Sequence, residues 1–200
     1  MNHPKYERTL VLIKPDGVQR SLIGEIIKRF ERVGLKFLAL KMVIPTKEQA
    51  EKFYPSSDEW FETVGNKTLK GYEAKGMKLN KTPIEQGKFV KKILVDFITS
   101  GPIVAMVLQG NEAVGVVRKL VGSTEPLTSD VGTIRGDFTI DSYTVADADQ
   151  RCVRNLVHAS ESPEEAEREI KIWFNESEIL KYNLVQDKIL YDVNLDGIKE

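Results

Sequence analysis

"ERTLVLIKPDGVQRSLIGEIIKRFE", residues Glu7 to Glu31, packs a strand, a turn and a helix into one short stretch. Thr9 to Ile13 is short, apolar and rich in β-branched residues, as a buried strand should be. "KPDG" stops it: Pro15 fixes one φ and Asp16-Gly17 closes a turn. From Leu22 the apolar residues recur at Ile23, Ile26, Ile27, Phe30 and Val33. That is helix spacing, and Gly34 stands where a helix C-cap belongs.

The same alternation continues outward. "LKFLALKMVI" reads as a second strand. "TKEQAEKFY" opens a helix with Thr46 as its N-cap. "FVKKILVDFI" is a helix ending near Ser100-Gly101-Pro102, and "PIVAMVL" is another buried strand. "NEAVGVVRKLVG" is a helix that stops at Gly122, "LVHAS" is the last strand and "PEEAEREIKIWF" the last long helix. Two stretches stand apart. Residues 55 to 88 are lysine-rich and punctuated by Gly and Pro, with room for one or two short helices but no clear core face. Residues 123 to 153 read as a long, mostly irregular segment, and a loop of that length inside a compact domain is usually functional. The order of elements predicts an α+β or α/β sandwich, a small sheet covered by helices. The charged tail after Tyr191 reads as loosely held.

Composition narrows the function. The chain has 200 residues, 41% hydrophobic and 30% charged, with a formal net charge of -1. That fits one globular domain, residues 1 to 200, or at most two small ones. A chain so balanced has no global basic field for holding nucleic acid, and none is expected as a specific partner. Cys152 is the only cysteine, so no intrachain disulfide forms and a reducing cytoplasm is expected. "MNHPKYERTL" lacks the apolar region of a signal peptide. The runs "LVLI" and "IVAMVL" are too short to cross a bilayer.

Two histidines are present. His3 sits in a polar N-terminal tail, and His158 follows Leu156-Val157 in "RNLVHASES". Local sequence leaves two readings of His158 open, a packed core residue or a working one. The helix behind it bears on the choice. Ser162 is its N-cap, Pro163 takes the first helical position, and Glu165 completes a Ser-x-x-Glu capping box. Glu164 has Arg168 four residues on and Glu167 has Lys171, but Glu169 has Trp173. Glu169 thus lies on or beside the apolar stripe of Ala166, Ile170 and Trp173. It either rims that stripe in solvent or reaches the His158 ring, since an unpaired buried charge is costly. A carboxylate on one ring nitrogen fixes the tautomer and leaves the other a free lone pair, which suits a nucleophile or general base. Lys14 ends the first strand, Arg118 lies in the helix before Gly122, Thr124 follows it, Arg135 lies in the long loop, and Asn155 precedes His158. Together they suit a polyphosphate. The chain contains neither a P-loop nor a Rossmann fingerprint.

Taken together, these stretches resemble the nucleoside diphosphate kinases. "ERTLVLIKPDGVQRSLIGEIIKRFE" is similar to that family's N-terminal motif, and "TSGPIVAMVLQG", "GTIRGDF" and "NLVHASES" to its later ones, over roughly residues 6 to 54 and 97 to 191. An inserted segment at about 55–90 and some ten extra residues after Phe138 interrupt the match. The resemblance implies a ferredoxin-like βαββαβ core, an antiparallel sheet covered by helices. It implies ping-pong transfer of the γ-phosphate of a nucleoside triphosphate such as ATP to a nucleoside diphosphate. His158 falls on the phosphorylated histidine, Glu169 on the carboxylate that holds its ring, and Ser160 on the neighbouring hydroxyl. Lys14, Arg118, Thr124, Arg135 and Asn155 fall on nucleotide contacts, as does Tyr54. Phe89 is the nearest aromatic to the position that stacks on the base, with Phe61 as competitor. Mg²⁺ is expected on the nucleotide phosphates, with no metal cage from the protein, and assembly into a homo-oligomer, a tetramer or hexamer. The family's His-Gly-Ser-Asp-Ser reads His-Ala-Ser-Glu-Ser here, at Ala159 and Glu161. A non-catalytic nucleotide-binding module on the same fold is the main alternative. A histidine phosphocarrier fed by a protein is another.

Overall fold

The computed structural model describes residues 4–198; His3 and positions 199 and 200 of the tail lie outside the described residues. The chain runs β1 (Glu7–Ile13), α1 (Pro15–Gln19), α2 (Ile23–Glu31), β2 (Lys36–Val43), α3 (Lys47–Phe53), α4 (Asp58–Ala74) and α5 (Pro83–Ile98). It continues through β3 (Ile103–Gly110), α6 (Ala113–Val121), α7 (Ile134–Phe138), α8 (Tyr143–Ala148), β4 (Val157–Ala159), α9 (Pro163–Trp173) and α10 (Asp187–Leu190).

The strands form a sheet in the order β2-β3-β1-β4, and every neighbouring pair is antiparallel. With α2 and α6 as the crossovers this is the expected α+β, ferredoxin-like βαββαβ arrangement. Alternation along β1 builds two cores. Leu10 and Leu12 pack with Phe53, Val95, Ile98 and Trp173 on one face. Val11 and Ile13 pack with Ile26, Phe30 and Val117 on the other. Successive strand side chains point to opposite faces, so a helix layer on each side leaves β1 buried throughout its second half.

Several local expectations change. "KPDG" is not a bare turn. Pro15 occupies the first turn of α1, where its missing N–H costs nothing, and Asp16 and Gly17 are buried inside that helix. The long segment 123–153 carries α7, α8 and a short 3-10 turn at Pro126–Thr128. In α9 the Ser162 hydroxyl accepts from Glu165 N–H at 3.2 Å, but Glu165 turns to Arg168 at 2.9 Å instead of closing the capping box. Glu167 leaves Lys171 for Arg8 of β1, whose Nε donates at 2.8 Å. A fork-shaped guanidinium offers a carboxylate two bonds, more than a flexible ammonium does. The tail beyond Tyr191 also has local order: the Asp192 carboxylate accepts N–H bonds from residues 194 to 197.

The inserted segment departs furthest. It forms two long antiparallel helices, and α5 begins at Pro83 rather than Phe89, behind a Thr82–Glu85 capping box. It does have an inner face: Phe61, Gly65 and Tyr72 on α4, and Gln86 and Gly87 on α5, are buried. Apolar periodicity misses this face because glycines make the closest contacts. A Cβ on Gly65 would stand 1.8 Å from Pro83 O, and one on Gly87 2.1 Å from Phe61 O. Gly87→Ala should therefore push the helices apart and cost about 1–3 kcal/mol in a denaturant melt. A neutral result would show that the seam is loose.

Candidate active site

The site grows from the meeting of β1, β4 and α9. β4 pairs with β1 in the register Leu12↔His158 and Ile13↔Val157. The chain then turns at Ser162 into α9, which packs back on β1 and brings Glu169 under the ring. His158 Nε2 lies 3.0 Å from Glu169 Oε2, and the Ser160 hydroxyl donates to the same oxygen at 2.7 Å. Ser160 in turn accepts from Leu10 N–H at 3.3 Å. Glu169 is only 3% exposed.

A carboxylate only accepts, so Nε2 carries the ring proton and Nδ1 keeps the lone pair. Burial alone would raise the Glu169 pKa. The hydrogen bond and charge of His158, then Ser160 and Arg168, outweigh it and hold the carboxyl below its ordinary range. Arg168 is a partner that helix spacing did not indicate, 3.7 Å from Glu169 Oε1. Phe53 is another residue the sequence did not single out. Its ring meets the imidazole edge-to-face at 4.7 Å and is itself backed by Trp173.

The expected nucleotide residues separate into groups. Lys14 Nζ donates to Asn155 Oδ1 at 2.7 Å, and Asn155 Nδ2 donates to the Thr124 carbonyl at 2.7 Å. Burial, then the charge of Arg135, pushes the Lys14 pKa down to about 8. Arg135 spends most of its guanidinium on the backbone. Nε donates to Asn155 O, one terminal nitrogen to Gly122 O and Ser123 O, and the other to Val157 O, all between 2.8 and 3.1 Å. Burial lowers its pKa to about 10. Of its five N–H groups one remains for an anion. Arg118 is freer, its side chain 50% exposed and 3.9 Å from Glu161. Tyr54 adjoins Phe53, and burial pushes its hydroxyl pKa up, so it stays a neutral phenol.

Phe61 is buried in the α4–α5 seam, and Phe89 is half-buried with Lys81 Nζ 4.3 Å from its ring centre. Ala159 sits in β4 with no positive φ, so no glycine is needed there. A cavity of about 500 Å³ lies between α5 and residues 150–154, with Cys152 and Arg154 in its wall; neither His158 nor any of the expected nucleotide residues lines it.

An imidazole anchored through Nε2 to a buried carboxylate, on a strand whose Val157 carbonyl Arg135 holds, points to a class: phosphotransferases that work through histidine. Comparison with known proteins narrows it. The family model "Nucleoside diphosphate kinase" matches residues 7–71 and 58–179. A nucleoside diphosphate kinase of Pyrobaculum aerophilum is 54% identical over 180 residues, 88% of this chain and 98% of the relative. The crystal structure of an NDP kinase from Pyrobaculum aerophilum superposes with a TM-score of 0.86 at 52% identity, over 88% of this chain and all of that one. The Borrelia burgdorferi nucleoside-diphosphate kinase, a transition state mimic with bound vanadate and ADP, gives 0.79 at 36% identity, over 94% and 99%. The chain belongs to the nucleoside diphosphate kinase family.

The depressed Glu169 pKa makes a signed prediction. Its folded value lies below 4.5, so its contribution is present above that pH and is lost as pH falls through the folded value. Glu169→Ala should cost about 1–3 kcal/mol at neutral pH, and part of that difference should vanish in acid. Equal stability of the two proteins at pH 7 would contradict the pairing.

Proposed function

We propose that the chain transfers γ-phosphate between nucleotides through a phosphohistidine at Nδ1 of His158. The observation that carries this is the 3.0 Å contact between Nε2 and buried Glu169, which leaves Nδ1 as the nucleophilic nitrogen. With its proton on Nε2, the imidazole attacks through the Nδ1 lone pair without a separate base. Its lone pair forms the N–P bond as the bond from γ-phosphorus to the bridging oxygen breaks, and the nucleoside diphosphate leaves. A terminal oxygen of the acceptor diphosphate then attacks phosphorus, the N–P bond breaks, and the lone pair returns to Nδ1.

Such a transfer asks the protein for alignment and charge. Lys14, Arg118 and the last free N–H of Arg135 supply charge. Thr124 and Asn155 give polar contacts to the nucleotide, and Tyr54, beside Phe53, adds a neutral phenol. Mg²⁺ bound to the phosphates would offset the remaining negative charge. That placement fits the chain, because Asp16 and Glu169 already spend oxygens on protein donors.

One domain, residues 1–200, carries this activity in our reading, and the lone unpaired Cys152 suits a reducing cytoplasm. Among the described residues no helix is long and apolar enough to cross a membrane. Assembly into a homo-oligomer, tetramer or hexamer, belongs to the same proposal. It is supported by Leu40, Met42 and Ile44, exposed at 50, 56 and 72% along and just beyond edge strand β2.

Incubation with ATP and Mg²⁺ should leave acid-labile, base-stable phosphate on the wild type. His158→Gln should remove both that phosphate and nucleotide transfer while the fold stays intact. Transfer at the wild-type rate by folded His158→Gln would sink the proposal and leave the binding-module reading.

A further inference from the structure

Leu156, two residues before His158, has φ +68 and is fully buried. A positive φ is a true outlier for a bulky side chain. Val157 N–H donates to Asn155 O at 2.7 Å, closing a three-residue turn around Leu156. Positive φ at the centre of such a turn is its rare, strained hand. Strain of this kind persists only where the surroundings over-determine it, and it collects at functional sites.

The surroundings here are specific. Lys14 N–H donates to Leu156 O at 2.7 Å. Arg135 grips the carbonyls on either side, Asn155 O and Val157 O. The Leu156 N–H donates to Asp16 Oδ2 at 3.1 Å. Asp16 is itself fixed, 4% exposed, with Oδ1 accepting from Gly17 N–H at 3.0 Å in the first turn of α1.

We propose that Asp16 is a positioning residue for phosphoryl transfer, holding the Leu156 turn so that Asn155 and His158 address the same nucleotide. The inference rests on His158 as the phosphate carrier. One residue separates the peptide that aims Asn155 at Lys14 from the strand that pairs His158 with Leu12. Relaxing Leu156 to an ordinary φ swings one relative to the other. A misplacement of about 1 Å between reacting groups is enough to lower a rate by about 100-fold. The role needs no contact between Asp16 and substrate.

Two variants separate the hydrogen bond from the charge, since the Asp16 carboxylate also favours the charged forms of Lys14 and Arg135. Asp16→Ala removes both acceptor oxygens; Asp16→Asn keeps one without the charge, which can be turned to the Leu156 N–H at the expense of the bond from Gly17 N–H. For transfer from ATP to a nucleoside diphosphate, the alanine variant should lose about 10–100-fold in kcat while KM rises less than about threefold. The asparagine variant should recover most of that loss and keep the Leu156 amide protected from hydrogen exchange. If the alanine variant does not fold, Asp16→Glu replaces it: the carboxylate is one methylene too long, and the same kcat loss is expected. Wild-type kcat in a folded alanine or glutamate variant overturns the proposal. So does an asparagine variant that keeps the Leu156 amide protected yet is as slow as the alanine one, which would make charge the agent. His158→Gln run beside them isolates the underlying reading: if it transfers phosphate, that reading has failed rather than the role of Asp16.

Discussion

Glu169 lies on the apolar side of α9, between Ala166 and Trp173, where an unpaired carboxylate would be expensive. It is held there by two donors, the His158 ring and the Ser160 hydroxyl, and by the nearby charge of Arg168. The rest of the site follows from this contact. It ties α9 to the β1–β4 pair and chooses the imidazole tautomer. A histidine so held keeps its lone pair on Nδ1, which suits the proposed nucleophile.

The cations complete that arrangement in two ways. Lys14 and Arg118 are the cations proposed to meet phosphate, and burial brings the Lys14 pKa down to about 8. Arg135 mainly secures backbone, tying Gly122 and Ser123 to the carbonyls that flank Leu156. A single guanidinium thus links the segment after α6 to the start of β4. With Asp16 and the Lys14 N–H it holds a turn that an isolated chain would not adopt. Rigidity at that point matters because phosphoryl transfer depends on alignment more than on acid–base chemistry.

Much of this could be read from sequence where the physics is local. The 9–13 strand, the Thr46 and Ser162 caps and the missing i+4 partner of Glu169 are short-range patterns; they gave a small sheet covered by helices and left the His158–Glu169 pair as one of two readings. The α4–α5 hairpin was hidden because Gly65 and Gly87 make its seam, and glycines leave no apolar period. The start of α5 was there to be read, as Thr82-Pro83 with Glu85. Phe53 and Asp16 were hidden for another reason. One owes its place to a ring contact across two elements, the other to a backbone strain at Leu156 that only tertiary contacts create. The motif resemblance joined distant residues that no local pattern connects.

In the proposed reaction Glu169 fixes Nε2 and so makes Nδ1 the phosphate carrier. Nitrogen and phosphorus NMR of the protein phosphorylated by ATP, with ¹⁵N-labelled histidine, reads this directly. Phosphorus coupled to Nδ1 of His158, with a proton retained on Nε2, is the predicted result. Phosphorus on Nε2, or on a residue other than His158, would contradict it.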